Sequence, residues 1–96
     1  MKKSFVYILG NKNKTVFYIG VTSNLIERIE NHKNKKGSKY TVKYNVCELL
    51  YYDVFTDVNQ AIAREKQLKN WHRDWKINLI KQKNPEFKDL YFELAL

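Results

Sequence analysis

Two short runs of β-branched and aromatic residues, Phe5 to Leu9 and Val16 to Ile19, flank the polar stretch Gly10-Asn11-Lys12-Asn13-Lys14. That pattern predicts a β-hairpin with a polar loop. A symmetric loop sets Tyr7 opposite Tyr18 and Leu9 opposite Val16, so the two tyrosines share one face. Thr22-Ser23-Asn24 then precedes Leu25-Ile26-Glu27. Asn24 with Glu27 makes a capping-box-like start for a helix reaching about Asn34. Leu25, Ile26 and Ile29 form its apolar stripe, and Arg28 and His32 sit together along one flank.

Lys33 to Tyr44 reads as a loop around Gly37-Ser38, with Lys35, Lys36, Lys39 and Lys43 interleaved with Tyr40 and Tyr44. Cys47 to Phe55 is mostly apolar and aromatic, a buried third strand. Asp57 with Gln60 resembles a second helix cap, opening a helix to about Trp71. Helical projection places Val58, Ala61, Leu68 and His72 on one face of it, with Glu65 near the middle. Trp75 to Ile80 reads as a third helix ended by Asn84-Pro85, and Phe87, Leu90, Tyr91 and Leu94 suggest a last helical turn. Trp71 and Trp75 fit core packing better than base stacking. The fold class is therefore α+β: a small three-stranded sheet, a β-hairpin plus a third strand, flanked by helices in the order β-β-α-β-α-α.

At 96 residues and 11.6 kDa the chain is expected to form one domain over 1–96, because a second core needs roughly 50 more residues. Hydrophobic residues at 44% provide enough apolar surface to offset chain ordering. Eighteen Lys and Arg against ten Asp and Glu give a formal charge of +8, which favours a polyanionic partner. Nucleic acid fits first; a solvated basic surface or an acidic membrane leaflet would use the same charge. Cys47 is the sole cysteine, which excludes an internal disulfide. With only His32 and His72 beside it, no zinc-ligand spacing can be assembled. A cytoplasmic location is expected, since no apolar run approaches a membrane span and Met1-Lys2-Lys3 does not lead into a signal-peptide core.

Glu65 is the residue that most needs a reason, because an inward-facing carboxylate must be paired, protonated or bound to a metal. Two readings stay open on the residues alone: an ion pair with Arg28 or a lysine, or a ligand to one Mg²⁺ completed by water and phosphate oxygens. Arg28 and His32, one turn apart, could reach a phosphate together or form an ordinary exposed face. Asn84 before Pro85 is most simply a helix N-cap. Cys47 reads as a small buried hydrophobe without chemistry.

Taken together these residues resemble the GIY-YIG nuclease family, and its small stand-alone UPF0213-like members, over nearly the whole chain. Phe5-Val6-Tyr7 occupies the first motif and Tyr18-Ile19-Gly20 the second. The stretch from Gly20 through Leu25 and Arg28 to His32 follows as in that family, and Arg64-Glu65-Lys66-Gln67-Leu68 resembles its metal-binding helix. The first motif departs from its name, with Phe5 for glycine and Val6 for isoleucine, and Val21 stands where some relatives carry lysine. The resemblance implies that Tyr7 and Tyr18 line the site, Arg28 and His32 face the phosphate, and Glu65 holds one divalent ion, Mg²⁺ or Mn²⁺. It also implies that Asn84 corresponds to the family's late polar residue.

The implied activity is metal-dependent endonucleolytic hydrolysis of phosphodiester bonds, in DNA before RNA. Tyr18 or His32 would be the general base, and Tyr7 would orient it or the water. Lys33, Lys35, Lys36, Lys39 and Lys43 are candidates for nucleic-acid contacts. With no second domain to read a long sequence, recognition of a flap, nick, branch or single strand is expected, in repair or recombination, or targeting by a protein partner. The alternatives are a module that binds DNA or RNA without cutting, and an oligomeric scaffold using the aromatic segment Phe87 to Leu96.

Overall fold

A computed structural model describes residues 2–95. Met1 and Leu96, the ends of the expected domain and of the expected C-terminal segment, lie outside the described residues. The elements run β1 (Ser4–Gly10), β2 (Phe17–Thr22), α1 (Leu25–Lys33), α2 (Lys39–Lys43), β3 (Glu48–Phe55), α3 (Val58–Lys69), α4 (Arg73–Lys83) and α5 (Tyr91–Leu94). The strands form one antiparallel sheet in the order β2-β1-β3, so the class expected from the sequence is the one observed. No described helix is long and apolar enough to cross a membrane.

β1 is the central strand, and its near-unbroken apolar sequence follows from cover on both faces. Alternate residues enter two separate cores. Val6 and Ile8 pack with Ile19, Tyr51, Ala61, Leu68 and Ile80, where α3 and α4 lie. Tyr7 and Leu9 pack with Leu25, Ile29, Val46 and Leu49 against α1, with Leu90, Tyr91 and Leu94 closing over them. Lys33 ties α1 to the segment that precedes α5, its Nζ 2.5 Å from Asp89 Oδ2.

The hairpin register differs from the symmetric expectation. Tyr7 pairs with Gly20 and Leu9 with Tyr18. The reason lies in the loop: Gly10 belongs to β1, and Asn11 Oδ1 accepts from the Thr15 and Val16 amides at 2.8 and 3.1 Å, drawing those residues into the turn. The slip is by two residues, and an even slip preserves the face. Tyr7 and Tyr18 therefore remain on one side, their ring centroids 6.5 Å apart.

Asn24 caps α1 as expected, its Oδ1 accepting from Glu27 N at 3.2 Å and its Nδ2 donating to Glu27 Oε2 at 3.0 Å. Other expectations need correction. Ile26 is 37% exposed, Val58 53% and Trp75 54%, so none of the three is a core residue. His72 is exposed at the N-terminus of α4, and Cys47 is half-buried. The lysine-rich stretch contains α2, started by Ser38, whose side chain accepts from Thr41 N.

Asn84 is not an N-cap: it ends α4, and no helix begins at Pro85. The β1–β3 register shifts between Ile8 and Leu9, passing from Tyr51 to Leu49 and leaving Leu50 as the bulge residue. Asn84, 4% exposed, donates from Nδ2 to the Leu50 carbonyl at 3.0 Å and to the Lys88 carbonyl at 2.8 Å. Its Oδ1 accepts from Lys88 N at 3.0 Å. Those bonds hold a turn in which Phe87 adopts φ 53° and packs on the core.

Removing the amide leaves buried backbone groups unpaired. Asn84→Ala is expected to lower unfolding free energy by about 2–4 kcal/mol in urea melts. A loss below about 0.5 kcal/mol would show that the turn holds without it.

Candidate nuclease site

The buried position of Tyr7 dictates the site. Its side chain leaves β1 on the face covered by α1, and the paired residue on β2 is Gly20. A Cβ on Gly20 would stand 2.3 Å from Tyr7 Oη and 2.5 Å from Cζ. The phenol thus crosses β2 where no side chain blocks it, and glycine is required by this close approach. Beyond that crossing, Arg28 Nη1 donates to Tyr7 Oη at 3.5 Å, a long bond.

α1 brings Arg28 and His32 to the same place, one turn apart. Arg28 is exposed, while His32 is only 6% exposed and meets both tyrosines. Its ring centroid is 6.2 Å from Tyr7 and 5.7 Å from Tyr18. Tyr18 is half-buried on β2 and touches the exposed ring of Tyr40 from α2, centroids 6.4 Å apart. Glu65 comes from α3, which packs against β1 and β2. Its side chain is 16% exposed, and Oε2 lies 3.5 Å from Lys69 Nζ one helical turn on. The ion pair anticipated as one reading is thus with Lys69 rather than Arg28. An i,i+4 pair at 3.5 Å to a half-exposed lysine is weak and leaves the carboxylate exchangeable.

Burial raises the Tyr7 pKa above its ordinary value; Arg28 works against this, and Tyr18 and Glu65 add to it. Tyr7 is therefore a neutral phenol at neutral pH, a hydrogen-bond donor rather than a base. Burial lowers the His32 pKa, and the Arg28 charge lowers it further. The imidazole stays neutral where a free histidine begins to protonate.

Among the described residues no group of three or more His, Cys, Asp and Glu could enclose a metal ion. A single carboxylate still suits Mg²⁺, which keeps several waters and takes phosphate oxygens as ligands. Glu65, partly open and held only by Lys69, fits that requirement.

Four of the residues singled out from the sequence thus converge, Tyr7, Tyr18, Arg28 and His32, and Glu65 on α3 is near enough for its charge to act on Tyr7. Asn84 does not join them, its side chain being committed to the backbone of Leu50 and Lys88. Lys33 is also committed, to Asp89 and over the rings of Tyr91 and Phe92. Lys35, Lys36, Lys39 and Lys43 are exposed along the α1–α2 connection and α2. Two residues had no signal in the sequence: Gly37 and Thr41, which pack against His32. The spacing of Ser38 and Thr41 could have marked the start of α2 but not this contact.

The profile of the GIY-YIG catalytic domain matches residues 3–78. Similar proteins include the UPF0213 protein of Clostridium perfringens, 37% identical across 97% of this chain and 99% of that one. Another is the UPF0213 protein of Syntrophus aciditrophicus, 38% identical across 90% of this chain and 98% of that one. The solution NMR structure of a UPF0213 protein from Bacillus halodurans superposes with a TM-score of 0.58 at 29% identity, covering 91% of this chain and 92% of that one.

Two outcomes are expected. Gly20→Ala should cost about 1–3 kcal/mol in urea unfolding, because the new methyl displaces the Tyr7 phenol; unchanged stability and near-ultraviolet circular dichroism would refute the close approach. His32 starts from an ordinary value of 6.5 and is lowered on folding, so the unfolded chain binds the proton first. Stability should fall as pH drops below that value and level off once the folded histidine titrates. His32→Gln should flatten that part of the stability–pH curve, and an unaltered slope would assign it to other groups.

Proposed function

This chain belongs to the GIY-YIG family, and we propose that it is a metal-dependent endonuclease that hydrolyses phosphodiester bonds, in DNA before RNA. The observation that carries this reading is the convergence of Tyr7, Tyr18, Arg28 and His32, from β1, β2 and α1, around the point where the Tyr7 phenol passes Gly20, with the charge of Glu65 on α3 felt at the same phenol. Packing alone does not require an arginine, a histidine and a carboxylate beside two tyrosines.

In this reading the exposed guanidinium of Arg28 holds the non-bridging phosphate oxygens, with geometry suited to two parallel hydrogen bonds. Tyr7 donates its phenolic proton to the same phosphate, a role consistent with its raised pKa. Tyr18 orients the attacking water, and its proton passes into the pocket that His32 closes. A divalent ion at Glu65, Mg²⁺ or Mn²⁺, would supply charge to stabilise the leaving oxygen. Lys35, Lys36, Lys39 and Lys43 extend the basic surface beside the site, and Tyr40 offers an exposed ring for an unpaired base. A branch, flap, nick or single strand suits such a surface, which would place the protein in repair or recombination in the cytoplasm.

The test is cleavage of plasmid, single-stranded and branched DNA, with matching RNA, in Mg²⁺, Mn²⁺ or EDTA. Nicking is expected only with metal. Glu65→Gln and Arg28→Ala should each lower the rate by about 10²-fold or more while binding persists. Binding without cutting on every substrate would leave a non-cutting nucleic-acid module instead.

A further inference from the structure

His32 Nε2 is fully enclosed and has no hydrogen-bond partner, the one such buried side-chain nitrogen or oxygen among the described residues. The opposite side of the ring is tightly engaged. A Cβ on Gly37 would stand 2.4 Å from Nδ1 and 2.8 Å from Cε1, so the backbone of the α1–α2 connection presses on that edge. Thr41, 3% exposed on α2, places Oγ1 3.2 Å from Nδ1.

The hydroxyl network determines which nitrogen carries the proton. Thr41 has one hydroxyl hydrogen, and its shortest acceptor is the Ser38 carbonyl at 3.0 Å, against 3.2 Å to Nδ1. Ser38 Oγ accepts from Thr41 N and keeps its own hydrogen for Thr41 Oγ1, 3.2 Å away. Thr41 Oγ1 then presents a lone pair to the ring, which makes Nδ1 the donor. The other tautomer would bury an Nε2–H with no acceptor, and orphaned buried donors are the rarer defect.

We propose that Thr41, set by Ser38 and Gly37, is a positioning residue that locks His32 in its Nδ1–H tautomer and leaves the enclosed Nε2 as a lone-pair acceptor on a ring that lies beside Tyr7 and Tyr18. An acceptor left without a donor is costly in a resting protein, and the cost is recovered when a proton arrives. The catalytic half of the proposal rests on the nuclease reading. As the water oxygen bonds to phosphorus, its proton passes to Tyr18 Oη while the Tyr18 proton passes to Nε2, a step that requires substrate binding to bring Oη within hydrogen-bond reach of that nitrogen. The P–O bond breaks with its electron pair on the leaving oxygen, which takes a proton from solvent. His32 afterwards returns its proton through half-buried Tyr18 to solvent. No free tyrosinate need accumulate in this sequence.

The full chain, labelled with ¹⁵N, reports the tautomer directly through long-range proton–nitrogen correlations of the imidazole, with exposed His72 as the internal comparison. His32 should show a protonated Nδ1 and an unprotonated Nε2. Thr41→Val, nearly isosteric, should return it towards the Nε2–H form that free histidine favours, and Thr41→Ser should restore the original pattern. In cleavage assays Thr41→Val should lower kcat roughly tenfold with KM unchanged, within the range for proton-transfer groups, and Thr41→Ser should recover it. Nε2–H in the unmodified protein, or a tautomer indifferent to Thr41→Val, would overturn the proposal. So would full kcat in a Thr41→Val protein whose tautomer had changed. If Thr41→Val does not fold, the unmodified protein and Thr41→Ser decide the tautomer by themselves. Failure of the unmodified protein to cut any substrate would sink the nuclease reading while the tautomer measurement still judged the role of Thr41.

Discussion

The passage of the Tyr7 phenol over Gly20 is the contact on which the site depends. β1 is covered on both faces, so a large polar-tipped side chain on it has nowhere to place its hydroxyl except past a neighbouring strand. Gly20 gives that exit, and the hairpin register aligns the two residues. Once the phenol emerges there, Arg28 and His32 can be supplied by the first helix after the hairpin. Asn24 sets the phase of that helix by capping it. A short local sequence, strand–turn–strand–cap–helix, therefore builds four of the five site groups before the third strand begins.

What the sequence made legible is largely what local chemistry controls. The hairpin, the Asn24 cap, β3 and the amphipathic helix carrying Glu65 follow from alternation, capping and periodicity. The register did not follow, because the Asn11 side chain reshapes the loop in a way strand composition does not encode. Asn84 looked like a helix start because Asn-Pro is a good one, yet tertiary structure gave its amide to a bulge carbonyl far away in sequence. Trp75 and Val58 read as core because they are apolar, and both are exposed. The site residues were recognisable as a set through the family resemblance; the residues that set the His32 ring were not, since a glycine and a threonine in a lysine-rich stretch carry no local signal.

The two ends of the fold divide their labour. Asn84, Asp89 and Lys33 tie the C-terminal segment onto β3 and α1, with Asp89 Oδ1 accepting from Leu49 N at 3.0 Å and Oδ2 meeting Lys33. These are buried or half-buried polar contacts whose partners are backbone and neighbouring helices. Lys33 was expected to meet nucleic acid and instead closes the second core, which leaves the free cations on the α1–α2 connection and α2. On the proposed reading, stability and nucleic-acid affinity would thereby be drawn from different lysines.

The charge distribution of the pocket is the last constraint. Its interior holds groups that burial keeps neutral, the Tyr7 phenol and the His32 imidazole. Of its charged members, Arg28 stands towards solvent, while the Glu65 carboxylate is mostly covered and offset by Lys69. A phosphodiester approaching this arrangement would meet the exposed Arg28 cation and the Tyr7 hydrogen-bond donor first. Protonation of His32 is disfavoured by the same Arg28 that would hold the phosphate. Bound phosphate, by offsetting that guanidinium, would make the imidazole a better proton acceptor than it is in the free protein. On the proposed reading, substrate binding and the basicity of His32 would be linked through one arginine.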